Sequence, residues 1–103
     1  IRLYDLAVTL AQSSFYFKKV GKAQARNSKR SLLMGYENFI ELSEADLTIL
    51  PYLVATRELA MLGWLYGRRD NPELFDYLKK NLAKRIKKAE KYIEQANKGS
   101  YFA

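Results

Sequence analysis

LTILPYLVATRELAMLGWLYG, residues 47–67, is almost wholly apolar or aromatic, and Arg57 and Glu58 are its only charges. It shows no clean alternation and is too long for a strand. A membrane span would place both charges near the bilayer centre. Arg costs about 2.5–3.5 kcal/mol there and an acid about as much, while each Leu, Ile or Val returns only about 0.3–0.6. Pro51 weakens insertion further. A helix apolar on all sides belongs inside a bundle, so the stretch reads as the central helix of an all-α domain of four to five helices.

The rest of the chain must supply its neighbours. Upstream, Leu3, Leu6, Ala7, Leu10 and Phe17 recur at helical spacing and predict a first helix over residues 4–18. Asp5 lies at its start, where an acid caps free N–H groups and suits the helix dipole. Gly21 should break this helix. Residues 18–30 hold Lys18, Lys19, Lys22, Arg26, Lys29 and Arg30, with no acid between Asp5 and Glu37. They read as a basic loop: an anion-binding patch in the functional reading, a solvated linker in the commoner one. No aromatics interleave these charges as in a single-strand binder.

A second helix is expected from Asn27 or Ser28 to about Ile40, with Leu32, Leu33, Tyr36, Phe39 and Ile40 as its apolar face. Gly35 costs helix propensity there, which predicts a close backbone approach. Ser43 with Asp46 three residues on resembles a capping box ahead of the central helix. Pro51, one turn in, should kink or divide that helix, and Gly67 should end it. Asn71 followed by Pro72 is a helix start. The last helix should run to about Asn97, with Gly99 as terminator. Leu74, Leu78, Leu82, Ile86, Ala89, Ile93 and Ala96 predict one inward stripe. The lysines around it read as a solubilising face in preference to a nucleic-acid stripe.

At 103 residues the chain is one domain. It has no Cys, hence no disulfide or thiolate metal site, and no His, hence neither the usual acid–base residue nor the commonest zinc ligand. A net charge of +7 favours acidic partners or anionic ligands. No signal peptide and no membrane span are expected, and a cytoplasmic location follows as the expectation. There is no Gly-rich phosphate loop. Glu41 and Glu44 form the one close exposed acidic pair, which could meet a cationic substrate but more often flanks a helix start. Arg57 and Glu58 are ionisable groups on an apolar helix: either paired or functional, or placed along a wetter edge. The first residue is Ile1 rather than Met, so the chain is expected to be processed or a piece of a longer protein.

From these residues alone the chain reads as a helical module without its own active site. Several short segments add a resemblance. Tyr4-Asp5-Leu6-Ala7 resembles the YDLA segment that follows the metal-binding Asp in the aminoglycoside phosphotransferase and choline kinase-like family. Gly35-Tyr36 resembles that family's F-x-x-G-Y, with Leu32 in place of the Phe. Leu42-Ser43-Glu44, Leu50-Pro51, Arg57, Trp64 and Arg68-Arg69 are similar in order and spacing to its homoserine-kinase-like and stress-response-kinase-like members. The likeness runs from Arg2 to Glu94.

The resemblance implies the C-terminal helical subdomain of a two-lobed enzyme that moves the γ-phosphoryl of ATP to a hydroxyl of a small molecule or protein, with Mg²⁺ neutralising the phosphates. The H-x-D-x-x-x-x-N catalytic loop and the ATP lobe would lie upstream, as the missing parts of the same protein. Asp5 would support the catalytic loop from beneath by accepting backbone hydrogen bonds. Tyr36, Glu37, Arg57 and Trp64 would line the substrate cleft. The alternatives are a free-standing basic module that binds nucleic acid or an acidic protein, and a purely structural domain that pairs as a homodimer.

Overall fold

The computed structural model describes residues 3–103. Ile1 and Arg2, where the resemblance begins, lie outside the described residues. Five helices follow in order: α1 (Leu3–Gln12), α2 (Ser14–Val20), α3 (Lys22–Glu37), α4 (Glu44–Gly67) and α5 (Pro72–Lys98). No strand occurs among the described residues. The fold is the expected all-α bundle. No helix among the described residues is long and apolar enough to cross a membrane.

Local chemistry sets the ends of the long helices. The Ser43 hydroxyl accepts from the Asp46 N–H (3.1 Å), and the Asp46 carboxylate accepts from the Ser43 N–H (3.0 Å). This reciprocal box satisfies two donors that no helical carbonyl can reach. The Asn71 side chain accepts from the N–H groups of Glu73 and Leu74, with Pro72 at the first helical position. Gly99, at φ +66°, closes α5: its N–H bonds the Ala96 carbonyl and the next N–H bonds Gln95. That pairing needs a left-handed residue, which glycine supplies cheaply.

Helices α4 and α5 form an antiparallel hairpin, α1 lies on α4, and α2 lies on α3. Leu6, Ala7 and Leu10 of α1 meet Leu50, Val54 and Ala55 of α4 in the core, which Phe17, Ala25 and Tyr92 complete. Tyr101 folds back onto this core past the end of α5. Its ring packs edge-on against Tyr92 at 5.9 Å, and its carbonyl accepts a hydrogen bond from Lys29 Nζ at 2.8 Å. Lys29 also lies 3.9 Å from the Tyr101 ring centroid, so it ties α3 to the segment that follows α5.

Several expectations are corrected. The first helix is two helices with a turn at Ser13, although the Ser13 N–H still donates to the Thr9 carbonyl at 3.1 Å. Gly21, at φ +88°, breaks the chain as expected, but α3 starts at once at Lys22 and ends at Glu37. Residues 22–30 are therefore helical, not a basic loop. Ala, Gln, Lys and Arg are good helix formers, and they carry the helix through Asn27 and Ser28. Pro51 does not divide α4, which runs unbroken through it.

Burial also departs from the expected pattern. In α4, Leu50, Pro51, Val54, Ala55, Glu58 and Leu65 are buried, while Ile49, Leu59 and Tyr66 are exposed and Trp64 is 47% exposed. The helix packs chiefly against α1 and α5, and two neighbours cannot cover all of its faces. On α5 the buried line is Leu78, Ala89, Tyr92 and Ala96, whereas Leu82, Ile86 and Ile93 are partly exposed. The inward face is thus rotated from the one the apolar stripe predicts. Gly35 shows no close approach, since a Cβ added there would meet nothing within 4 Å.

Candidate functional site

The rotation of α5 follows from Glu58. This residue lies in the second half of α4 and is only 3% exposed. Its Oε2 accepts from Arg85 Nη1 at 3.1 Å, and its Oε1 faces Lys88 Nζ at 3.5 Å. A buried carboxylate persists when it is paired and hydrogen-bonded. Turning Arg85 and Lys88 toward α4 moves Leu82 and Ile86 outward. The pair is held in turn by polar neighbours: Arg85 Nη2 donates to the Tyr77 hydroxyl at 2.6 Å, and Lys88 Nζ donates to the Ser14 hydroxyl. No buried side-chain nitrogen or oxygen among the described residues is left without a partner.

Around this network lies an open cleft of about 370 Å³. Ala11, Gln12, Ser14 and Phe15 form one wall, at the α1–α2 turn. Arg57, Glu58 and Met61 of α4 form the floor, and Tyr77, Asn81, Lys84, Arg85 and Lys88 of α5 form the other wall. Four cations and one carboxylate give it a charge of about +3. The Tyr77 hydroxyl, more than the Glu58 charge, raises the Arg85 pKa against the opposing effect of burial. Burial, helped by Glu58, raises that of Tyr92. Arg85 therefore stays a cation and Tyr92 stays neutral across the physiological range. The cleft can bind anions; it presents no thiol and no imidazole.

The residues expected to share a substrate cleft are not brought together. Arg57 is half-buried in the cationic cleft. Tyr36 lies on α3 beside Leu32, Gly35 and Phe39 in a shallow apolar groove, and Glu37 is exposed at the end of that helix. Trp64 lines neither surface; Arg68 stacks on its ring at 4.0 Å. Asp5 is exposed in the first turn of α1. Glu44 is in the first turn of α4 and Glu41 is exposed just before it, a placement that matches helix-start acids. Of the two alternatives for Arg57 and Glu58, Glu58 is paired and buried, not on a wet edge.

Sequence reasoning marked Glu58 but missed its partners, Ser14, Tyr77, Arg85 and Lys88. Arg85 is 27 residues away. The one available signal was that a carboxylate on an apolar helix demands cations opposite it, and α5 offers them one turn apart. Among the described residues no three His, Cys, Asp or Glu side chains gather as a metal site would require.

Comparison with known proteins assigns no family. No protein family, curated protein or solved structure matches this chain. The architecture is all-α, and no matching structure stands behind a kinase-like origin for it.

Proposed function

We propose that this chain is the substrate-side helical part of an ATP-dependent phosphotransferase, and that it performs no phosphoryl transfer by itself. The observation that carries the reading is the shared order of short segments: Tyr4-Asp5-Leu6-Ala7, Gly35-Tyr36, Leu42-Ser43-Glu44, Leu50-Pro51, Arg57, Trp64 and Arg68-Arg69. The exposure of Met34, Phe39, Leu59 and Trp64 supports it, because large apolar side chains of this kind are what a second lobe would cover. ATP and Mg²⁺ would be held by the upstream part. Asp5 would accept hydrogen bonds from the catalytic loop, and Arg57 would face the substrate. Tyr36, Glu37 and Trp64 would contribute only where the second lobe meets their separate surfaces.

The test is the coding sequence immediately upstream of Ile1. An H-x-D-x-x-x-x-N segment is expected within about one domain's length, roughly 100–150 residues. A frame without it refutes the reading. The 103-residue chain alone should transfer no phosphate from ATP with Mg²⁺.

One observation favours the basic-module alternative. Lys22, Arg26 and Arg30 fall at i, i+4 and i+8 of α3, and all three are exposed. This reading predicts nucleic-acid binding that weakens steeply with salt, and binding without a salt slope counts against it. Self-pairing through the uncovered apolar flank would instead appear as a dimer in light scattering.

A further inference from the structure

We propose that the cleft between the α1–α2 turn and the α4–α5 hairpin binds a small organophosphate. Its phosphate would be held by Arg57 and Lys84, with Arg85 behind them, and its apolar body would lie against Phe15 and Met61. The inference uses only residues of the described helices and stands whether or not the phosphotransferase reading does.

The charge inventory is the first argument. Glu58 engages Arg85 and Lys88. Among the described residues Arg57 and Lys84 have no ion-pair partner, yet both line the same cleft, one on its floor and one on its wall. Two uncommitted cations lining one cleft match the two charges of a phosphate monoester. Arg57 offers a planar donor fork and Lys84 a point charge, a combination that suits phosphate oxygens. Glu58 does not compete for the ligand's cationic partners, because its oxygens are already turned to Arg85 and Lys88. It also holds Arg85 in place.

Shape and wall chemistry are the second argument. About 370 Å³ lies at the lower end of the small-molecule range. It has room for a phosphate plus a ring-sized body, and a bare phosphate would leave the apolar wall wet. Phe15 is 77% exposed at the lip. Its ring and the Met61 thioether give an apolar or aromatic group a place to stack. A nucleic-acid strand needs a track of cations with stacking rings along it, whereas these cations line a single cleft.

The test is calorimetric titration of the chain with phenyl phosphate, inorganic phosphate and benzoate. Phenyl phosphate should bind tightest, since only it combines the dianion with the ring. Arg57→Gln with Lys84→Gln leaves the Glu58 ion pairs intact, so the thermal melt should be unchanged, while phenyl phosphate affinity falls about tenfold or more. Phe15→Ala should weaken phenyl phosphate and leave inorganic phosphate unaffected. Lys22→Gln with Arg26→Gln, on α3, should change neither. No heat with phenyl phosphate at millimolar concentration overturns the proposal. So does equal binding of all three anions, or a loss that follows the α3 variant instead of the cleft variant.

Discussion

Glu58 and Arg85 should differ sharply in what their removal costs. Glu58 has a side chain only 4% exposed, whereas those of Arg85 and Lys88 are 28% and 34% exposed. In Glu58→Gln the amide oxygen still accepts from Arg85, and both cations can lean into water, so the loss is about 1–2 kcal/mol, the difference between a charge-assisted and a neutral hydrogen bond. In Arg85→Met the buried carboxylate keeps only Lys88, at 3.5 Å. An under-paired buried charge costs about 3–5 kcal/mol when it is fully enclosed. Lys88 can close in, which lowers the expectation to roughly 2–4 kcal/mol. Urea unfolding followed by far-UV circular dichroism reads both. With an m-value of about 1–1.5 kcal/mol per M, the midpoint falls by roughly 1 M for Glu58→Gln and by about 2 M for Arg85→Met. The double variant should cost less than the sum, with a coupling of about 1–2 kcal/mol. Equal costs, a reversed order or strict additivity would refute the argument that the acid is the enclosed partner.

Four further outcomes are expected. Gly35→Ala should stabilise this chain by about 0.5–1 kcal/mol, because Gly35 sits in α3 with open space where a Cβ would go; a lower urea midpoint would show a neighbour the structure lacks. Ser43→Ala should cost about 1 kcal/mol through loss of the reciprocal cap, and a thermal melt unchanged from the parent would deny the box any energetic role. Burial raises the Tyr101 pKa above its ordinary 10.0, so the folded state keeps a proton that the unfolded chain sheds. Stability from this group is complete below about pH 10 and falls by about 1.4 kcal/mol per pH unit above it. Tyr101→Phe should therefore flatten the alkaline loss of stability in urea titrations, with Tyr92 contributing what slope remains; an unchanged slope sinks the assignment. Lys29 acts in the opposite sense: burial, then Lys91, lowers its pKa, so its contribution to stability rises with pH in the window just below 10.5.

Helix ends were legible because caps are local. Ser43 with Asp46, Asn71 with Pro72, and Gly99 each act within a few residues, and each does what its spacing predicts. The turn at Ser13 was not legible, since no glycine or proline marks it. Nor was the start of α3, where propensity carried the helix through two good cap residues. The facing of α4 could not be read at all: a helix apolar on every side carries no directional signal, so Trp64 was expected inside and is half out. Tyr101 lies beyond the α5 terminator, outside any periodic pattern, yet it is among the best-buried aromatics. For the site, Glu58 stood out as an anomaly, while its partners depended on how two helices meet.

That meeting is where the charges do what apolar packing cannot. The buried line of α5 is Leu78, Ala89, Tyr92 and Ala96, and sliding α5 along α4 by one turn would set Leu82, Ile93 and Ala96 where Leu78, Ala89 and Tyr92 had been, one apolar side chain nearly in the place of another. Such a slip costs little in buried area alone. It costs much at Glu58, which would face Ala89 and Tyr92 in place of the Arg85–Lys88 pair. The Tyr52 hydroxyl, which donates to the Asn97 side chain, marks the same alignment near the other end of the hairpin. A lone polar contact inside an apolar interface is known to fix register at some expense in stability. Glu58 has that position here. The same constraint that fixes the hairpin also turns Arg85 and Lys88 inward, and it leaves Arg57, beside Glu58, and Lys84, beside Arg85, lining one cleft without ion-pair partners.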